Sequence, residues 1–148
     1  MRILTTAALI ALLPLSSFAD AAQDAVQARQ GFFKLLNANM GGLQAMAQGN
    51  AEYDEALAVS MANNLVHLSQ LHVMPLFMEG TSTMDRDDTR ALPEIWDDPA
   101  AFGEKFAGFG EAVANAPDAV RGGAANIAPV LQQAGLACRA CHDDYRQP

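Results

Sequence analysis

Apolar residues recur at seven-residue intervals from Val26 through Phe33 and Met40 to Ala47, and Leu36 and Leu43 fill the intervening turns. One face of an α-helix produces that period, whereas a strand turns its side chains to opposite faces at every residue. The stripe predicts a helix over residues 21–48, closed by Gly49-Asn50. Gly41-Gly42 weakens its middle and marks a close approach by another helix. The pattern returns three times. Residues 53–74 carry Leu57, Met61, Leu65, Leu68 and Leu71 before Pro75 obliges the chain to turn or kink. Asp98 caps and Pro99 opens a third helix with Phe102, Phe106, Phe109 and Val113 on its stripe; Pro117 and Gly122-Gly123 interrupt it. Residues 124–145 carry Ile127, Val130, Leu131 and Leu136, with Pro129 in the first turns and Gly135 as a weak point. The polar segment 79–93 is the one long connection. With no alternating run of useful length, the pattern predicts an all-α fold, an antiparallel four-helix bundle.

The start of the chain reads differently. Arg2, then an apolar run over residues 3–15, then Ser17-Phe18-Ala19 have the order of a secretory signal peptide. Residues 1–19 are therefore expected to be removed between Ala19 and Asp20, leaving one domain over residues 20–148. The run is too short to span a bilayer, and no later segment is apolar for long enough, so no membrane span is expected in the mature chain. The formal net charge is −8, and one unit more negative without Arg2. Phosphate backbones repel such a surface, which argues against nucleic acid as a partner.

An exported chain with only two cysteines, Cys138 and Cys141, is not a disulfide scaffold, and a bridge between them would close a loop too small to stabilise much. Their setting, Cys138-Arg139-Ala140-Cys141-His142, is C-x-x-C-H, the attachment pattern of c-type haem. Helix positions three apart share a face, so both sulfurs can reach one porphyrin, and His142 then offers its imidazole to the iron. Covalent haem attachment takes place outside the cytoplasm, in keeping with export. A thioredoxin-like site needs a βαβ setting, and a structural zinc site needs four ligands; His67 and His72 do not have a common zinc spacing. No nucleophile arrangement or phosphate loop points to an enzyme. Asp143 and Asp144, adjacent on a helix, diverge and suit surface charge rather than paired acid–base work.

With these residues in view, the chain resembles the cytochrome c′ family. CRACHDDYR at residues 138–146 is similar to the family's C-terminal signature, LFMEGTS at residues 76–82 to its loop motif, Ile95-Trp96 to its IW pair, and ARQGFFK at residues 28–34 to its first-helix motif. Met78-Glu79 departs from the loop motif, where the family often has proline. The resemblance implies a homodimeric bundle with one covalent haem c near the C-terminal helix. It implies five-coordinate iron with His142 proximal and an apolar side chain, here Phe33, closing the distal side. It further places Arg29 near a haem propionate, Gln30, Thr81 and Asp85 along the haem edge, Met74 and Phe77 against the ring, and Arg146 near the axial histidine. The related low-spin c-556 cytochromes carry a methionine ligand where Phe33 stands. Phenylalanine has no lone pair for iron, so the expectation is periplasmic binding of small neutral gases, nitric oxide or carbon monoxide, with electron transfer at the haem edge. The alternative is a six-coordinate, low-spin electron carrier; Met40, two turns from Phe33 on the same stripe and otherwise a soft gap-filler of the core, is then the first candidate ligand.

Overall fold

The computed structural model describes the backbone of residues 16–148 and the side chains from residue 21 onward. The signal assigned to residues 1–19 falls largely outside the described residues. Four long helices form the bundle: α1 (Ser16–Ala47), α2 (Glu55–Ser69), α4 (Pro99–Val113) and α6 (Ile127–Tyr145). Two one-turn helices, α3 (Glu94–Asp97) and α5 (Ala116–Ala119), sit in the connections. Among the described residues the only β-type pairing is one isolated antiparallel bridge, Ala91 with Arg146, and no helix is long and apolar enough to cross a membrane.

Local chemistry sets the ends. The Asp54 carboxylate accepts from Leu57 N at 3.0 Å and starts α2. Asp98 does the same for Ala101 N at 3.0 Å, with Pro99 in the first turn of α4, where its missing N–H costs nothing. Pro129 sits equally harmlessly near the start of α6. The second helix is shorter than its apolar pattern predicts. It ends at Ser69, whose hydroxyl donates to Val66 O at 2.8 Å, and the chain then tightens to a 3₁₀ turn at Met74–Leu76 that contains Pro75. After Ala119, Gly122 and Gly123 at φ 83° and 146° make the reversal into α6, which a side chain would resist.

The core combines Val26, Leu36, Leu43 and Met46 of α1 with Leu65 of α2, Phe102, Phe109 and Val113 of α4, and Ile127 and Val130 of α6. On α2 the fully buried residues are Ala58, Ala62 and Leu65; of the stripe expected from the sequence, Leu65 is buried and Met61 and Leu68 pack against the core from partly exposed positions. Leu57 and Leu71 are 45% and 47% exposed. The two helices pack closely: a Cβ on Gly42 of α1 would collide with the end of the Met61 side chain of α2. Small residues are what such an approach admits. Gly41 next to it meets nothing within 4 Å. Gly41→Ala is therefore expected to gain about 1 kcal/mol from helix propensity alone, a rise of roughly 4 °C in Tm. Gly42→Ala should gain less because Met61 must move. Thermal unfolding followed by circular dichroism checks both; equal gains would show that the Gly42 contact carries no constraint.

Candidate haem site

A cavity of about 640 Å³ opens where α1, α4, α6 and the 77–91 loop meet, within the usual size range for cofactor pockets. Its walls are aromatic and aliphatic: Phe33 and Met40 from α1, Phe77 from the loop, Phe102 and Phe106 from α4. The rings interlock edge to face, Phe32 with Phe33 at 5.2 Å, Phe77 with Phe102 at 4.8 Å and Phe102 with Tyr145 at 5.2 Å between centroids, so each wall residue is braced by another.

Cys138, Cys141 and His142 line this cavity from α6. The two thiols are half-buried and unbridged. Burial raises the pKa of both, with the Cys138 neighbour adding to the effect at Cys141, which is pushed up to about 11. This is the reverse of the depressed value that marks a thiol–disulfide oxidoreductase. Burial lowers the pKa of His142, and the nearby Arg146 and Arg90 guanidinium groups lower it further. Its imidazole is thereby kept neutral with a lone pair free, as a metal ligand must be.

Arg29 is the unusual polar residue. It is 3% exposed, yet among the described residues no carboxylate lies within ion-pair distance of it. Its guanidinium donates to Thr81 Oγ1 at 2.7 Å, Thr81 O at 2.6 Å and Thr89 Oγ1 at 2.6 Å, and stacks over Phe77 at 5.3 Å. Burial lowers its pKa, though an arginine in a protein stays charged. A buried cation with no counter-ion that borders a cavity calls for an anionic group on whatever fills the cavity. An apolar slot, two thiols three residues apart, a neutral imidazole and one unneutralised guanidinium fit a haem, whose face is apolar and whose propionates are negative.

Of the residues singled out in the sequence, Arg29, Gln30, Phe33, Phe77, Cys138, Cys141, His142 and Arg146 all line the cavity. Met74, Thr81 and Asp85 do not. Thr81 is fully buried and acts through Arg29. Asp85 accepts from Ser82 N and Oγ and shapes the turn; these bonds hold its carboxyl below the usual range. Met74 packs against the core. His67 and His72 are exposed and away from the cavity. Tyr145, Phe102 and Phe106 line it without having been assigned to it. Tyr145 lies three residues after His142 and shares its helix face, a spacing from which it could have been read. The loop residues Asp88, Thr89, Arg90 and Ala91 also line it, and nothing periodic marks them.

The loop is fastened on both sides. Gln30 Nε2 donates to Asp88 O at 2.7 Å, Trp96 Nε1 donates to Phe77 O at 2.9 Å, and Arg86 binds Gln23 and both oxygens of Asp88. The Arg86 bond holds the Asp88 carboxyl down to about 2. Beyond α6, Leu92 N donates to Tyr145 O at 3.0 Å and Gln147 N to Arg90 O at 2.9 Å.

Bundle and cavity together define a helical haem protein. Residues 24–146 match the sequence profile of the cytochrome c′ family. Cytochrome c′ of Cereibacter sphaeroides is 38% identical over 146 residues, covering 99% of this chain and 98% of that protein. The solved cytochrome c′ from Rhodobacter Spheriodes superposes with a TM-score of 0.78 at 38% identity, covering 84% of this chain and 96% of that one. A nitric oxide complex of a mutant cytochrome c prime from Alcaligenes xylosoxidans superposes with a TM-score of 0.70 at 32% identity, covering 86% and 97%. The chain belongs to the cytochrome c′ family, and its cofactor is a covalently attached haem c.

Proposed function

We propose that this chain is a periplasmic, five-coordinate haem c protein that binds small neutral gases, nitric oxide or carbon monoxide, and can pass an electron. Cys138 and Cys141 would hold the porphyrin by thioether bonds, His142 would be the single protein ligand, and Arg29 would face a propionate. When bound, haem c supplies an iron centre able to take up a diatomic ligand and to exchange one electron. The observation that carries the reading is Phe33, which lines the cavity from α1 braced against Phe32. Its ring cannot donate to iron. It adds to the apolar wall of the cavity, so an uncharged diatomic enters at little desolvation cost while an anion does not. The Alcaligenes xylosoxidans relative has been solved as a nitric oxide complex, which supports gas binding here by likeness. Export by residues 1–19 and a homodimer complete the proposal.

The visible spectrum of the ferrous protein tests it. A high-spin spectrum that shifts on adding carbon monoxide is expected. Phe33→Ala should speed gas association roughly tenfold, because a ring with about 1.5 kcal/mol of edge-to-face contact no longer has to move aside. Met40 lines the same α1 wall, which favours a second reading, a six-coordinate electron carrier. Sharp low-spin bands unmoved by carbon monoxide, and made high-spin by Met40→Leu, would establish that reading instead.

A further inference from the structure

Behind the cavity the aromatic rings form a connected row. Tyr145 meets Phe102 at 5.2 Å, Phe102 meets Phe77 at 4.8 Å, and Phe77 meets Trp96 at 6.3 Å between centroids. The first three residues line the cavity and Trp96 does not, so the chain's one tryptophan is one ring removed from whatever fills it. Trp96 is half-buried on the one-turn helix α3. An indole gives up an electron far more readily than a phenyl ring. Its Nε1–H donates to Phe77 O at 2.9 Å. A backbone carbonyl is not a base, so this indole can lose an electron and keep its proton, and a single electron then restores it. Glu94 and Asp97 flank Trp96 in α3 and are in no ion pair among the described residues, so their charge favours a cation there. The Arg29 guanidinium over Phe77 at 5.3 Å opposes positive charge on that ring. Tyr145 is the other oxidisable ring at the wall. A phenol loses its electron only together with its proton, and desolvation and the Asp144 and Asp98 carboxylates hold that proton in place.

We propose that Trp96 is an internal electron donor, which draws oxidising equivalents out of the cavity through Phe77 when hydrogen peroxide reaches the iron. This rests on the open iron site of the proposed function. In the step it serves, one hydrogen peroxide takes up two electrons and two protons, its O–O bond breaks, and two water molecules are formed. One electron comes from the iron and one from the Trp96 indole, the protons come from solvent, and the indole is left as a radical cation. An outside one-electron reductant meets the indole at its partly exposed position and returns that electron; a second reductant molecule returns the electron taken from the iron. In the absence of Trp96 the phenylalanine rings of the wall are too hard to oxidise, and the oxidising equivalent stays in the cavity to attack the porphyrin.

The ferric holoprotein is mixed with an equivalent of hydrogen peroxide, with no reductant added, and its oxidised residues are mapped by mass spectrometry. Met84, 81% exposed on the loop, takes oxygen from peroxide directly and reports the background. Oxidation products at Trp96 are expected, and a freeze-quenched sample should show the electron paramagnetic resonance signal of a tryptophan radical. Trp96→Phe should abolish that signal and raise the loss of haem absorbance per peroxide severalfold. The mapping uses the parent chain, so it does not depend on how well the variant folds. Carbon monoxide is added to the ferrous protein in parallel. If carbon monoxide binds while peroxide leaves Trp96 unmodified, or if the radical sits on Tyr145, the role of Trp96 is overturned and the open-site reading stands. If carbon monoxide does not bind and peroxide changes neither the haem absorbance nor Trp96, both are overturned.

Discussion

Alanine at both Cys138 and Cys141 is expected to leave a protein whose haem is removed completely by acidified acetone, while the parent chain keeps its pigment through the same extraction. The two half-buried thiols line the cavity three residues apart on α6, and burial raises the pKa of both, which disfavours use as reactive thiolates. Each single substitution should leave one thioether and retain the pigment in part. The double variant still has the aromatic walls and His142, so it should bind haem non-covalently with its spectrum little changed. Pigment that stays with the denatured double variant would mean that attachment lies elsewhere, and the site assignment would fail.

The second large effect is expected at Arg29. Arg29→Ala would strand the Thr81 carbonyl and take one partner from each hydroxyl of Thr81 and Thr89, all in buried residues. Thr81 Oγ1 can still donate to Met78 O at 2.5 Å and Thr89 Oγ1 still accepts from Ala91 N at 3.1 Å, so their losses are partial. Unsatisfied buried groups cost about 1–3 kcal/mol each, and the removed side chain also leaves a void. A loss on the order of 4 kcal/mol follows, which lowers Tm by roughly 10 °C or more. Arg29→Lys should fall between, because one ammonium cannot bridge two threonines as a planar fork does. Thermal unfolding of the holoprotein measures this. A loss below about 1 kcal/mol, the scale of an ordinary surface change, would show that the loop does not depend on Arg29.

What could be read from the sequence follows from what has a period or a motif. The C-x-x-C-H run, the Asp98-Pro99 start of α4 and the phenylalanine stripe of α4 carry local signals, and the structure places them as expected. The α2 stripe is right only in part, because hydrophobicity ranks leucine above alanine: Leu65 is buried and Met61 meets α1 at Gly42, but Ala58 and Ala62 are buried while Leu57 is exposed. The loop residues at the cavity are invisible for another reason. Arg90 and Thr89 reach the site through hydrogen bonds to α1 and to the chain's end, and such pairings leave no mark on nearest-neighbour spacing. Thr81 is half legible: the loop motif singles it out, but only the coordinates show that it stands behind Arg29 rather than on the cavity wall.

The pairing of residues 90–92 with 145–147 has a further consequence for how the molecule comes together. A chain made from its N-terminus delivers α1, α2 and α4 before α6, the helix that carries the thiols. The contact between the first and last helices closes a loop of nearly the whole chain, a late and slow kind of step. The bonds that fasten the loop to the C-terminus lie beyond Cys141 in the chain. Until that seam closes, the bundle is open on its thiol-bearing side, and the prosthetic group has free access to Cys138 and Cys141 before residues 145–147 latch the loop.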